Sequence, residues 1–273
     1  MATDNNSYFS NAAPGHAEAL LSNVYRLDAT PKAVLGYRIS RMDGNIYRYA
    51  QFGAATNRGL LCSQDISETS VPDTDNGMIA PASAQNTSDG TLNSRFIEIT
   101  MSSVVLNQFA GGYLITTDDT GEGYSYRIKG NTAAGTPTTG NYRLELYDRL
   151  QVAIDATTDY TIIGCMYSDI EAATTATDGA MVGVSCATTT AAKPFAFVQT
   201  RGVVGVLQDA STVLPAAGDM VVGSLLTAGA IGRYVGGSVG TTVAADHGRL
   251  QIVGFCLDPG DSTGATTIFL QLE

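Results

Sequence analysis

Short stretches in which apolar and polar residues alternate run along most of the chain, separated by turns rich in Gly, Asn, Asp and Pro. Alternation over roughly four to eight residues is typical of a β-strand that buries one face. Because successive stretches follow one another every ~8–12 residues, the pattern predicts an all-β fold, a sandwich or a barrel, with little helix. The predicted strands are residues 95–105, 112–118, 123–131, 141–148, 159–169, 179–189, 194–202, 202–210, 219–226, 250–258 and 266–273.

Two segments predict β-hairpins. In residues 34–53 the pair Asp43-Gly44 lies between runs rich in Tyr, Ile and Val, which indicates a type I′ turn with positive φ at both central positions. Residues 111–130 read GGYLITTDDTGEGYSYRIKG and carry an acidic, Gly-rich tip at residues 116–123. The tip lacks the flanking helices and the final Glu of an EF-hand, and its three carboxylates would repel phosphate. We expect an ordinary hairpin there, with a weak cation site outside the EF-hand class as the alternative.

Helical spacing of apolar residues occurs in only two short segments. Residues 16–27 (HAEALLSNVYRL) place four apolar residues on one side, and residues 146–155 (LYDRLQVAID) predict a weak internal helix. Residues 63–94 are polar and interrupted by Pro and Gly. For that segment we expect either a functional excursion or a crossing between strands.

The first 31 residues differ from the rest of the chain, since they are polar and contain Pro14 and Pro31. Such a segment buries little against itself, so we expect residues 1–31 to form an extended arm that orders on a partner. A frayed terminus is the alternative. Residues 32–273 are expected to form a β-rich body of one or two subdomains. The arm residues expected at an interface are Tyr8, Phe9, Leu20, Leu21, Val24 and Tyr25.

Charge restricts the partners. Twenty-six acidic residues against fifteen basic ones give a net charge of −11, whereas nucleic-acid binding needs clustered Lys and Arg, so we expect no direct nucleic-acid contact. Only 15% of the residues are charged, which is typical of a surface that meets other protein chains. Arg127 and Lys129 share one face of the predicted strand 123–131. We expect these two bases to meet the acidic surface of a neighbouring copy.

Residues suited to catalysis or metal binding are few and scattered. One histidine, His16, lies in the predicted arm, and the other, His247, follows Asp246 with no GxSxG motif nearby. The chain has no Trp and no CxxC pair. We therefore expect no enzymatic activity, no catalytic residue, no metal and no cofactor. The four cysteines, expected to be buried thiols, are Cys62, Cys165, Cys186 and Cys256.

Neither a targeting signal nor a membrane segment is expected. The N-terminus has no basic region followed by an apolar core, which is the pattern of a signal peptide. No apolar run reaches the ~18 residues of a membrane-spanning helix. We therefore expect no membrane partner.

Two short motifs stand out, Gly-Gly-Tyr-Leu at 111–114 and Tyr-Arg-Ile-Lys at 126–129. They are the most specific parts of a resemblance that covers roughly residues 32–273. In these segments the chain resembles virion structural proteins of tailed double-stranded DNA bacteriophages, many of them marine. Near the end of the chain, LPAAGDMVVGSLLTAGAIGRY and LQIVGFCLD are similar to the closing strands of phage capsid decoration proteins. Further similar segments are residues 109–131, 144–162, 166–170, 182–184 and 195–202.

The resemblance implies a non-enzymatic, β-rich protein on the outside of the phage head. It implies a decoration, or cement, protein that stabilises the shell by bridging subunits of the major capsid protein. An acidic chain fits the outer surface, because DNA fills the interior of the head. Shell symmetry favours self-association, and we expect a homotrimer made in the cytoplasm of the host bacterium.

Two alternatives remain open. One is another virion component, such as a head fibre, a tail part or the shell protein, although a shell protein needs a long spine helix that no stretch supplies. The other is a carbohydrate-binding or carbohydrate-hydrolysing β domain in which Tyr-rich strands stack on sugars.

Overall fold

The structure of the chain is a computed structural model, and every regular element in the residues it describes is a β-strand. It describes residues 23–65, 70–74, 87–100, 104–133, 141–155, 157–173, 179–209, 214–224, 226–234, 251–260 and 264–273, with residues 70–74 described by their backbone alone. No helix in these ranges is long and apolar enough to cross a membrane. The predicted all-β fold class is confirmed.

Sixteen strands follow one another along the described parts of the chain. The first eight are β1 (Arg38–Ser40), β2 (Ile46–Gln51), β3 (Leu61–Gln64), β4 (Ser70–Thr74), β5 (Phe96–Thr100), β6 (Tyr113–Asp118), β7 (Ser125–Asn131) and β8 (Asn141–Leu146). The second eight are β9 (Asp159–Ile163), β10 (Ile170–Ala172), β11 (Met181–Ser185), β12 (Phe195–Leu207), β13 (Met220–Gly223), β14 (Ile231–Arg233), β15 (Ile252–Asp258) and β16 (Ala265–Gln271).

The chain divides into two compact units. Unit 1 comprises Met1–Asp65 together with Tyr167–Glu273, and unit 2 comprises Ile66–Met166. Unit 2 therefore interrupts the sequence of unit 1, and the polar segment 63–94 contains the point at which the chain passes from one unit to the other.

Unit 1 contains a ten-stranded sheet in which the described pairs are antiparallel. Its main path runs β10-β3-β11-β12-β16-β15-β13-β14, and β2 pairs with both β1 and β12. The long strand β12 connects the parts of this sheet, because it pairs with β11, β2 and β16. Residues 196–200 of β12 are buried in succession, whereas in its second half the buried residues Gly202 and Val206 are separated by exposed ones such as Val203. Alternation of period two therefore describes only the second half of this strand.

Unit 2 contains a six-stranded sheet in the order β4-β9-β6-β7-β8-β5. One face of this sheet is buried through residues such as Leu114, Ile128 and Leu144, and Phe109 packs beside them. The intervening positions, such as Tyr113 and Arg127, lie on the other face and are exposed. The alternation of period two therefore places one face in the core and leaves the other open to solvent.

Residues 146–155 are not helical, so that prediction was wrong. Leu146, Leu150 and Ile154 are buried as the helical spacing suggested. However, their backbone N–H groups donate to carbonyl oxygens of the segment 90–95, at 2.8 Å, 2.8 Å and 2.9 Å. The backbone donors are thus satisfied by a neighbouring segment rather than by a helical turn. Of the other predicted helix, residues 16–22 lie outside the described residues, and residues 23–27 form a turn.

The hairpin at Asp43-Gly44 is confirmed, although its turn is larger than the predicted type I′ turn. β1 and β2 pair from Ser40 opposite Ile46, and the N–H of Gly44 donates to the carbonyl of Arg41 at 3.0 Å. Gly44 has φ 84°, whereas Asp43 is not among the residues with positive φ. Five residues, 41–45, therefore connect the paired strands, and Gly44 is the residue of this turn with left-handed φ.

The two strands predicted at 194–202 and 202–210 form one strand, β12. Gly202, with φ 98°, lies inside it and contacts the side chain of Asn45. A glycine at this angle lets the chain bend without ending the strand, because no Cβ clashes there.

Candidate functional site

The acidic segment of residues 111–130 is a β-hairpin, as predicted. β6 and β7 pair antiparallel, with Tyr113 opposite Arg127. The tip between them has positive φ at Asp119, Gly121 and Gly123. The Thr116 hydroxyl donates to the Gly121 carbonyl, and the N–H of Gly123 donates to the Thr116 carbonyl at 2.9 Å. The tip is therefore held in one conformation by its own hydrogen bonds.

Carboxylates near the tip accept hydrogen bonds from backbone N–H groups and hydroxyl groups. Asp118 accepts the N–H of Asp119 at 2.8 Å. Asp155 accepts the Thr120 hydroxyl at 2.7 Å and both the hydroxyl and the N–H of Thr157. These hydrogen bonds, led by that of Thr120, lower the pKa of Asp155 to about 2. In the described part of the chain no group of three His, Cys, Asp or Glu side chains is arranged to hold a metal ion.

A row of exposed side chains crosses the open face of the unit 2 sheet. Ile163 lies opposite Tyr113, and Tyr113 lies opposite Arg127. The Arg127 guanidinium in turn lies 5.1 Å from the centre of the Tyr147 ring. We call these four residues the tyrosine–arginine row. Tyr113 is 49% exposed, so the row offers apolar area and one positive charge to a partner.

Lys129, which the sequence suggested as an interface base beside Arg127, already has a partner within its own chain. Its Nζ lies 2.6 Å from Oε1 of Glu145 on β8. The predicted pair of interface bases is therefore unequal: Arg127 stacks on a tyrosine and stays exposed, whereas Lys129 is in an ion pair.

The arm residues predicted at an interface have different environments where the structure describes them. Tyr8, Phe9, Leu20 and Leu21 lie outside the described residues. Val24 is fully buried in unit 1, in a cluster with Tyr49 and Phe197, so it presents no surface to a partner. Tyr25 is 65% exposed and remains available.

Residues 23–31 also form hydrogen bonds with the rest of unit 1. Asp28 exchanges two backbone hydrogen bonds with Phe195, at 2.9 Å and 3.2 Å. Its carboxylate accepts the Tyr49 hydroxyl at 2.9 Å and the Arg26 Nε at 2.6 Å. This part of the predicted arm therefore belongs to the folded unit.

Neither histidine provides a visible catalytic group, because His16 and His247 both lie outside the described residues. The four cysteines are free thiols. Burial raises the pKa of Cys62 and of Cys186 to about 12, which disfavours the reactive thiolate.

The sequence did not reveal a depression of about 320 Å³ on unit 1. Arg38, Arg41 and Arg201 line it, and we call it the base-lined depression. Arg38 lies on β1 and Arg41 directly follows it, whereas Arg201 lies far away in sequence on β12. Only the pairing of β2 with β12 brings the three together. The only signal in the sequence was that Arg38 and Arg41 both lie shortly before the predicted turn at Asp43-Gly44, and it gave no hint of Arg201.

Comparison of the chain with protein families, with curated proteins and with solved structures gave no match.

Proposed function

We propose that this chain is a structural protein of a tailed-phage virion, and most specifically a decoration protein that binds the outside of the head shell. In this role it performs no catalysis. It bridges subunits of the major capsid protein and associates with further copies of itself, as a trimer. It is made in the host cytoplasm and then bound to the outer capsid surface.

The observation that carries this proposal is the position of the tyrosine–arginine row. Tyr113 and Arg127 belong to the two motifs with the most specific resemblance to phage virion proteins. The same two residues lie opposite each other in the middle of an exposed sheet face. Exposed Tyr and Arg side chains are enriched where protein surfaces bind other proteins.

The net charge of −11 also supports an outer position, because packed DNA inside the head repels an acidic surface. The tightly hydrogen-bonded sheets support a structural role, since a cement must resist deformation of the shell.

The role of the tyrosine–arginine row can be tested by measuring how tightly the purified chain binds head shells of the phage that encodes it. The shells are prepared without this chain. Tyr113→Ser together with Ile163→Ser should weaken binding by about tenfold or more, because central apolar contacts dominate interface energies. Leu92→Ser is the matched control, since Leu92 is exposed in the same unit but outside the row. Equal binding by the double variant and by the control would contradict the role of the row.

A test of the predicted arm should delete fewer residues than the 31 that the sequence suggested. Removing residues 1–22 leaves Val24 and Asp28 in place, so unit 1 should keep its stability. We expect weaker shell binding with unchanged thermal unfolding. Unchanged shell affinity would show that the arm has no part in binding.

A carbohydrate-binding domain is the second candidate, favoured by the exposed rings of Tyr113 and Tyr147 on either side of Arg127. Aromatic rings and an arginine on one face suit stacking on a charged sugar. A glycan array without specific hits would remove this candidate, whereas a hit abolished by Tyr113→Ser would favour it over the virion role.

A further inference from the structure

The base-lined depression concentrates positive charge on an acidic chain. Arg38, Arg41 and Arg201 are three of only fifteen basic residues. The only carboxylate lining the depression belongs to Asp43, which accepts two hydrogen bonds from Asn45. Arg38 Nε lies 3.5 Å from Oε2 of Glu273, which is not a lining residue, and the Arg41 guanidinium lies 5.1 Å from the centre of the Tyr47 ring. Arg201 is therefore the arginine on which the charge of the depression mainly depends. The exposed side chain of Arg201 makes no hydrogen bond or ion pair within the described ranges of the chain. The depression therefore suits carboxylates, which arginine binds through two parallel N–H groups.

An apolar strip begins at the rim of the depression. Val203 and Phe269 line the depression itself and lie opposite each other on β12 and β16. The strip continues through Phe255 to Met220, each opposite the residue before it. The Phe255 and Phe269 rings stack at 5.3 Å, while Val203 is 51% exposed and Met220 48%. A partner for this surface thus needs carboxylates next to an apolar or aromatic group.

The hairpin tip of unit 2 has this composition. Asp118, Asp119 and Glu122 are all exposed on it, and we call these three residues the acidic tip. Tyr124 follows directly, is exposed, and is held by stacking on Tyr126 at 5.9 Å between ring centres. A tip fixed by internal hydrogen bonds loses little conformational entropy on binding.

The two units also differ in overall charge. Unit 2 carries twelve acidic residues against five basic ones, whereas unit 1 carries fourteen against ten. The most acidic exposed loop of the described chain thus belongs to the more acidic unit, and the arginine cluster belongs to the other. Both units are net negative, so attraction between copies arises only locally, where carboxylates of the tip meet arginines of the depression.

We propose that the base-lined depression of one copy binds the acidic tip of a second copy of this chain. The tip carboxylates pair with Arg201 and its neighbours, and Tyr124 lies against Val203 and Phe269. The two surfaces differ, so in a pair of copies one copy still has a free depression and the other still has a free acidic tip. Further copies can therefore add until the assembly closes into a ring, or it continues as an open chain. The contact deepens the proposed function by naming how copies join, but it is measurable on the purified chain alone.

Sedimentation velocity on the full chain, at low and at high salt, tests the contact. We expect self-association at low salt that weakens at high salt, since screening shortens the reach of exposed charges. Arg201→Glu should weaken association by about tenfold or more. Its matched control is Arg58→Glu, an exposed arginine of unit 1 outside the depression, which should leave association within about twofold of the unmodified chain.

Glu122→Lys tests the other side of the contact. It lowers the net negative charge of the chain and therefore the general repulsion between copies, yet it should also weaken association by about tenfold or more. Asp148→Lys makes the same change in charge at an exposed residue of unit 2 that is not part of the acidic tip. A weakening by Glu122→Lys but not by Asp148→Lys supports a contact at the tip.

Mixing the two variants gives the decisive result. The Arg201→Glu chain keeps its acidic tip and the Glu122→Lys chain keeps its depression, so together they should form a one-to-one complex that grows no further. A chain that stays monomeric at every concentration in low salt would overturn the proposal. So would variants that associate like the unmodified chain, or a mixture that forms no complex.

The outcome also separates this contact from the proposed function. If the contact is absent, the monomeric chain can still bind the shell through the tyrosine–arginine row. If the virion role is wrong, the purified chain can self-associate and yet be missing from the particle. Loss of shell binding by Arg201→Glu, with no self-association of the unmodified chain, would assign the depression to a shell subunit and contradict the proposal.

Discussion

Replacing Val24 by Ala tests whether residues 23–31 belong to the folded unit. The Val24 side chain is fully buried against Tyr47, Tyr49 and Phe197. Removing two buried methyl groups costs about 0.8 kcal/mol each in transfer free energy, and the cavity left behind adds to this. We expect the free energy of unfolding of unit 1 to fall by about 2–3 kcal/mol.

Differential scanning calorimetry of the full chain measures this loss. For a unit of this size 1 kcal/mol corresponds to about 2–4 °C, so the unit 1 transition should move down by about 4–12 °C. The unit 2 transition should stay in place, because no residue of that unit is in the Val24 cluster. Tyr25→Ala is the matched control: its ring is largely exposed, and its effect should stay within about 0.5 kcal/mol.

A small, equal effect of both substitutions would contradict the packing of Val24 in the core of unit 1. It would mean that residues 23–31 add nothing to the unit 1 core and that the whole segment 1–31 acts as a detachable arm. A shift of both transitions by Val24→Ala would instead contradict the division into two separately unfolding units.

Three further predictions concern unit 2. Tyr142→Phe should raise its free energy of unfolding by about 1–2 kcal/mol in calorimetry, because the buried Tyr142 hydroxyl has no hydrogen-bond partner among the described residues; a loss of stability would point to a partner for that hydroxyl. Arg143→Leu should lower the free energy of unfolding by about 3–5 kcal/mol, because it removes the bidentate hydrogen bonds of 2.5 Å and 2.7 Å to the buried Asp89 carboxylate. Arg143→Lys keeps the charge and should lower it less, so equal losses would contradict the importance of charge. Because the pKa of Asp155 is lowered, its carboxylate stabilises the fold at pH values above its ordinary pKa of 3.8, and this stabilisation is lost as the pH falls through about 2. The free energies of unfolding of the original chain and of Asp155→Asn, measured against pH, should therefore converge below pH ~2. Parallel curves would contradict this contribution of Asp155.

Strand positions were accessible from the sequence because burial of one sheet face imposes alternation. β6, β7 and β8 each show it, and each was predicted within a few residues. The strands β3, β4, β10 and β14 were missed. β3, β10 and β14 have only three or four residues, which is too short to reveal a period. β4 has five residues but lies in the polar, Pro-interrupted segment 63–94.

The helix predicted at 146–155 shows the limit of a spacing argument. Residues spaced by four point the same way in a helix, but Leu146, Leu150 and Ile154 reach the core from an irregular segment. What decided the outcome was a set of backbone acceptors in residues 90–95, which are remote in sequence. Periodicity carries no information about such partners.

The candidate surfaces were predictable only where they lie within one hairpin. Tyr113 and Arg127 belong to neighbouring strands of the same hairpin, so their exposed face followed from alternation. The base-lined depression depends on the register between β2 and β12, which are separated by unit 2 in sequence. No local pattern encodes that register.

We propose that this chain is a structural protein present in many copies on the outside of a phage head. Quantitative mass spectrometry of purified particles, before and after brief protease treatment of intact heads, tests it most directly. We expect hundreds of copies per particle, which the protease cleaves while the DNA inside the head stays protected. Particles that lack this polypeptide, or that carry only a few protected copies, would contradict it.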